Sequence, residues 1–224
     1  IIFICVHQNS FMSLDSYLVS KLGVSDILSA HALIRDGFVE VNRQIVKQQD
    51  FPVSTQDSVK ITDSQLLCKP RGYFQVRELQ KECELFTSTT DALCIGADPG
   101  TLLFLKDMGA SVANAGAGAS DIPGVLDISL NPLMDCISKK HSEKFNFILF
   151  GPKFGLFTAF SILENNKESL LSNGRALLDV REKDSLSEEH VQKLCSGAGF
   201  LMDRIFISDL DSSNGWVVLA KKKE

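Results

Sequence analysis

The 224-residue chain has six cysteines but no C-x-x-C pair: Cys5, Cys68, Cys83, Cys94, Cys136 and Cys195 are scattered. That excludes the paired-ligand zinc patterns, so no metal is expected. Buried thiols in a reduced, intracellular setting, cytoplasmic or organellar, are the expectation. Long apolar runs are missing too. The opening "IIFICV" is six residues long with no basic lead-in, and no membrane partner is expected. The chain opens on Ile1, so residues 1–12 are expected to be a leader outside the fold, with Met12 as a start. Positive charge is also in short supply. Lys and Arg number 23 against 28 Asp and Glu, a net charge of −5. Up to Gly72 seven of each balance, and the remainder carries the whole excess. By charge alone, neither part is a strong binder of phosphate backbones. The four histidines (His7, His31, His141, His190) suggest no catalytic triad. Tyr73, Phe74 and Trp216 are single aromatics near a junction, expected to pack rather than to stack on bases. There are no repeats and no low-complexity segments.

What is present reads as two units. Leu14, Leu18 and Leu22 recur at helical spacing, and Gly23 stops that helix. Ser25 is expected to cap a second helix carrying Ile27, Leu28, Ala30 and Ile34, which Gly37 ends. "FVEVN" alternates as a strand, Asn42 to Gln44 turn, "IVKQ" returns and "SVKIT" closes a small sheet. Pro70 and Gly72 mark a linker.

Strands and helices then alternate. A helix with the stripe Val76, Leu79, Cys83 and Phe86 precedes a strand "ALCIG", a helix "TLLFLKDMG" and a strand "SVANAG". "GVLDI" reads as a short strand or loop, "NPLMDCISKK" as a helix capped by Asn131, and "FNFILF" as a buried strand. A helix over "GLFTAFSILENNKESLL", a strand "RALLDV" and a helix capped by Ser187 and stopped by Gly197 follow. "DRIFISDL" and "WVVLAKK" form a closing hairpin through "SSNG". This order predicts an α/β fold, a mostly parallel sheet covered on both faces with an antiparallel hairpin at its end.

The first unit resembles the small RNA-binding domain named after ribosomal protein S-four, through Leu14-Asp15, Ser25 and "IRDGFVEVN" (34–42). It departs at Ser13 and Asp26, where that family has basic residues. The resemblance implies RNA contacts from Lys21, Arg35, Arg43, Lys47 and Arg71. With the linker and the closing hairpin, residues 13–221 resemble the TlyA, or hemolysin A, family. There an S-four-type domain precedes an FtsJ-like class I methyltransferase domain of Rossmann-like fold. The implied division is 13–62 for the small α+β RNA-binding domain, 63–74 for the linker and 75–224 for the methyltransferase domain. The implied activity is methyl transfer from S-adenosylmethionine to a ribose 2′-hydroxyl of ribosomal RNA.

That activity uses a Lys-Asp-Lys-Glu tetrad in the family. The matching positions here are Gln75, Gly151, Arg181 and Trp216, so none of the four is kept. An amide is no base, and an arginine stays protonated at ordinary pH. Cofactor contacts are implied for Gly96, Ala97, Asp98 and Gly100 in "CIGADPGT", where the family's first acid is Cys94. The ribose-binding acid falls on Gly116, with Asp98 or Asp121 as substitutes by shifted geometry. The expectation is a degenerate member with impaired or lost catalysis. The alternative is an active methyltransferase whose site is shifted onto Lys153 and Lys183, near Asp179 and Glu182. A third reading takes "GAGASD" (116–121) as an incomplete nicotinamide-binding turn, a weak signal because it follows the second strand rather than the first.

Overall fold

Ser13 and the left-handed Gly23 bracket the first helix, as the spacing of its leucines requires. The computed structural model describes residues 11–115, 122–128, 145–180, 187–209 and 215–221. Two compact units divide the chain, Ile1–Phe74 and Gln75–Glu224.

In the first unit β1 (Met12–Ser13) leads into α1 (Leu14–Leu22), and α2 (Ile27–Arg35) follows. Strands β2 (Val39–Val41), β3 (Gln44–Ile45), β4 (Pro52–Val53) and β5 (Val59–Ile61) complete it. They form a three-stranded sheet in the order β3-β2-β5 and a separate β1-β4 pair, in which Met12 lies opposite Val53. Leu14, Leu18, Ala30, Leu33, Ile34, Val39 and Val53 are buried. The cap of α2 is Asp26, not Ser25. Its Oδ1 accepts from the amides of Leu28 and Ser29 at 2.9 Å each, while Ser25 donates its hydroxyl to Asp26. Either residue type caps well, and the carboxylate reaches two amides at once. The helix closes on Asp36, one residue before Gly37.

The second unit takes residues of α3 (Arg71–Cys83) from Gln75 onward. This helix stops at Cys83, and Glu84 turns left-handed with φ 47°, so Phe86 of the expected stripe lies beyond it. Then come β6 (Asp91–Ile95), α4 (Pro99–Asp107), β7 (Ser111–Ala115), β8 (Val125–Ile128) and β9 (Phe145–Phe150). The remaining elements are α5 (Leu156–Asn165), β10 (Leu170–Val180), α6 (Glu188–Ala198), β11 (Phe200–Ile207) and β12 (Gly215–Lys221). Helix α5 is shorter than expected: a 3-10 turn over Lys167–Ser169 ends it, and β10 already starts at Leu170. Gly199, left-handed at φ 80°, stops α6 in place of Gly197. "GVLDI" is a strand. The expected helix over 131–140 and the turn "SSNG" lie outside the described residues.

The seven strands run β11-β12-β10-β9-β6-β7-β8, parallel from β10 to β8, with β12 antiparallel to both β10 and β11. Alternation along these strands splits the core. Ile95, Ile148, Phe150, Leu178, Val180 and Val217 pack with residues of α5 and α6 such as Phe160 and Cys195. The opposite face carries Phe147, against which Phe86 packs at 4.8 Å between ring centres. Each fully buried large side chain contributes about 1.5–3 kcal/mol relative to exposure, so this two-sided sheet holds most of the unit's stability.

Candidate functional site

Sequence order reverses between β6 and β9: β6 continues to β7 and β8 on one side, while β9 continues to β10 on the other. In open α/β sheets, ligands gather at the carboxyl ends of the strands at such a point. A cavity of about 200 Å³ lies there, lined by Gly96, Ala97, Asp98, Pro99, Pro152 and Lys153. The turn after β6 and the turn after β9 supply its walls.

Each residue of the first wall has a local reason to be there. Gly96 has φ +61°, and a Cβ on it would stand 2.6 Å from the ring of Phe154. Backbone conformation and ring contact both demand glycine. Asp98 is the N-cap of α4 and accepts from the Gly100 amide at 2.8 Å, with Pro99 at the first helical position. Gly100 is buried within the first turn of α4. Cys94, where the family's acid is expected, is fully buried, and burial pushes its thiol up to about 12. It is therefore a neutral packing residue rather than a nucleophile. Gly116, Asp121 and the "GAGASD" stretch lie outside the described residues.

On the second wall Gly151 donates its amide to the Ile95 carbonyl at 2.9 Å, and Gly96 donates to Ala115 at 2.9 Å. These bonds carry the parallel ladder past the strand ends. They bring the backbones so close that a Cβ on Gly151 would stand 2.0 Å from the Gly96 carbonyl oxygen and 2.6 Å from Ala97 Cα. No side chain fits at Gly151 without moving the turn after β6. Lys153 is exposed on the cavity wall, and no carboxylate of the described residues is seen paired with it.

Two other positions matched to the tetrad, Trp216 and Gln75, are buried and neutral. Trp216, 1 % exposed, lies opposite Asp179 in the β10–β12 ladder and opposite Phe206 in β11. Gln75, 3 % exposed, sits on α3. Neither the Gln75 side-chain NH₂ nor the Trp216 indole N–H has a hydrogen-bond acceptor among the described residues. Arg181, Glu182 and Lys183 lie outside the described residues.

Glu78 gives no functional signal in the sequence. It is buried one turn after Gln75, and its carboxylate accepts from the Ser208 hydroxyl and the Asp209 amide. Ser208 follows directly on β11, so Glu78 ties α3 to the end of that strand.

Cations of the first unit are spread over several elements. Lys21 is exposed in the last turn of α1. Arg35 ends α2 with its Nε 3.4 Å from Asp36. Arg43 and Lys47 are exposed on and after the β2–β3 hairpin. Asn42 and Arg43 both have positive φ, 52° and 69°, the two-residue turn that matches strand twist. Arg71 opens α3 and is half-buried. Asp15 of the matched Leu-Asp pair accepts from His31 at 3.0 Å. Burial raises the Asp15 carboxyl, but hydrogen bonds from Ser13, His31 and the Ser16 amide outweigh it and hold the group below its ordinary value.

A larger cavity of about 380 Å³ opens between α5 and α6, lined by Phe157, Ser161, Glu164 and Lys193 among others. It lies against the helices rather than at the strand ends and gathers no reactive groups. Among the described residues no group of three His, Cys, Asp or Glu is placed to hold a metal ion, and no helix is long and apolar enough to cross a membrane.

Solved structures of similar fold bear on this architecture. A proposed hemolysin from Streptococcus thermophilus superimposes with a TM-score of 0.53 at 14% identity, covering 96% of this chain and 90% of that one. A proposed hemolysin from Lactococcus lactis gives 0.55 at 16%, covering 69% and 89%. The 1,6-didemethyltoxoflavin-N1-methyltransferase of Burkholderia thailandensis, with S-adenosylhomocysteine bound, gives 0.53 at 12%, covering 71% and 81%. The fold is that of a class I methyltransferase. No family model and no curated protein matches the chain.

Proposed function

We propose that this chain is an RNA-associated protein of methyltransferase fold that holds an adenosyl cofactor at the ends of β6 and β9 but has lost, or nearly lost, ribose 2′-O-methyl transfer. In this reading residues 13–62 contact RNA, ribosomal by the family resemblance, and residues 75–224 hold the cofactor. The observation that carries the loss is Gly151: its contact with the Gly96 carbonyl leaves no space for an acid where the tetrad needs one. Gln75 and Trp216 add that two further matched positions are neutral and buried.

The cavity fits the cofactor in part. At about 200 Å³ it is smaller than the roughly 300–1,000 Å³ usual for a whole small-molecule site, so it suits the amino-acid end of an adenosyl ligand. Gly96 and Ala97 would offer bare backbone, and Asp98 and Lys153 the polar contacts. When bound, S-adenosylmethionine supplies an electrophilic methyl group. The second reading is an active enzyme using Lys153, supported by that residue's place on the cavity wall.

RNA association is tested by filter binding of ribosomal RNA fragments across a salt series. The proposal expects affinity to fall steeply with salt, with a slope set by the few contacting cations, and to weaken in Arg43→Ala and Lys47→Ala. Affinity that is flat in salt, or absent at low salt, would remove RNA from the proposal.

A further inference from the structure

The seven-stranded sheet ends at β11, which pairs with β12 on one side and has no strand on the other among the described residues. Such an edge carries a row of backbone N–H and C=O groups able to pair with a further strand. Two large apolar side chains of β11 stand in water: Leu201 is 56 % exposed and Ile207 45 %. Asp203 and Arg204 between them are exposed too. The Asp203 carboxylate has no partner among the described residues, while Arg204 donates its Nη1 to Cys83 Sγ of α3 at 3.6 Å.

One irregularity marks this strand. Met202 pairs with Leu219 and Arg204 with Val218, so Asp203 is an extra residue, a β-bulge with nothing opposite it in β12. An extra residue shifts the alternation of faces along a strand. Phe200, Met202 and Ile205 accordingly pack with the core of α5 and α6. Arg204 reaches α3 on the other face, and Phe206 lies opposite Trp216, whose neighbour Val217 faces α5 and α6. Phe200, Met202, Ile205 and Ile207 thus share one face, and Leu201, Arg204 and Phe206 the other.

Residues directly opposite in an antiparallel pair share a face. A regular strand therefore pairs with its own copy about a residue, never about the bond between two. The bulge lifts that restriction. About the Asp203–Arg204 bond, Phe200 meets Ile207 of a second copy, Leu201 meets Phe206 and Met202 meets Ile205, each pair on a common face. At the centre Asp203 meets Arg204 of the second copy, twice by symmetry. A strand of unrelated sequence leaves these charges unmatched, and unmatched edge charge opposes strand addition.

We propose that β11 is a homodimerisation edge, on which two copies of this chain join their sheets antiparallel, centred on Asp203 and Arg204. The inference is independent of any cofactor or RNA. One strand edge buries less than the roughly 1,200–2,000 Å² of stable interfaces, so the dimer is weak and fills at micromolar concentration and above.

The test is sedimentation velocity on the full chain from micromolar to sub-millimolar concentration at low salt, for wild type, Asp203→Arg, Arg204→Asp and the double swap. All four positions of charge are exposed, and circular dichroism checks that each protein folds. The expected result is a wild-type monomer–dimer equilibrium that either single reversal weakens by roughly tenfold or more, since each places two like-charge pairs at the centre. The double swap restores the opposite-charge pairs and should return the dimer to within about threefold of wild type. A wild-type protein that stays monomeric throughout would overturn the proposal. So would a dimer that neither single reversal weakens, or one that the double swap fails to restore.

Discussion

Substituting Gly151 by alanine adds one methyl group, and the structure says where it would go. Its carbon would sit 2.0 Å from the Gly96 oxygen and 2.6 Å from Ala97 Cα. Both are backbone atoms, so no rotamer change relieves the overlap. Separation requires the turn after β6 to lift away, straining the Gly151–Ile95 and Gly96–Ala115 bonds, each 2.9 Å. Overpacking in a tight interior costs about 1–3 kcal/mol, and one lost hydrogen bond adds about 1 kcal/mol, for a total of about 2–4 kcal/mol. In a domain of this size each kcal/mol lowers the melting temperature by about 2–4 °C, so a drop of about 4–16 °C is expected. Thermal denaturation followed by circular dichroism reads this directly. Gly155→Ala is the control, because nothing lies within 4 Å of its added methyl and the loss at this N-cap position is below about 1 kcal/mol. A Gly151→Ala protein melting within 2 °C of wild type would refute the steric argument, and with it the claim that an acid cannot be accommodated there.

Three further outcomes are expected. Gly96→Ala suffers both a positive φ and the Phe154 ring, whereas in a Phe154→Ala background only the φ strain remains; a double-mutant cycle by urea denaturation should show a coupling of at least about 1 kcal/mol, and additivity would contradict the contact. Arg43→Gly relieves a left-handed backbone cost of about 1–2 kcal/mol against an unfolded-state entropy loss of about 0.5–1 kcal/mol, so it should be neutral to stabilising by up to about 1.5 kcal/mol while weakening RNA binding in the salt series. Asp15 has its carboxyl held below its ordinary value, so its stabilisation is present above that ordinary value and lost as pH falls through the lowered folded value. Acid unfolding monitored by Tyr17 fluorescence should shift less in Asp15→Asn than in wild type over that window, and identical acid limbs would contradict the assignment.

The elements were legible in the sequence where period and punctuation agreed. Period-3.6 leucines before Gly23, and the alternation of short apolar strands with helices after Gly72, led to the two units and the parallel sheet. Boundaries shifted where two residues of similar local chemistry competed. Ser25 and Asp26 are adjacent caps, and only the carboxylate's reach to two amides separates them. Gly197 and Gly199 both offer a stop, and only the second is left-handed. The site was legible as a list of missing groups: Gln75, Gly151 and Trp216 in place of a base and two acids. Why they are missing was not. The clash at Gly151 involves a backbone 54 positions earlier, Ala97, and Glu78 finds its partner Ser208 130 residues away. Such pairings depend on strand order, which residue periodicity does not encode.

The proposal is that the methyltransferase fold persists here without ribose methyl transfer. It is tested most directly by incubating the full chain with methyl-labelled S-adenosylmethionine and ribosomal RNA and counting label in the RNA. The expected result is incorporation no higher than in a protein-free blank over hours, with Lys153→Ala indistinguishable from wild type. Multiple turnovers by the wild-type protein, abolished in Lys153→Ala, would contradict the claim and establish an active site built on Lys153.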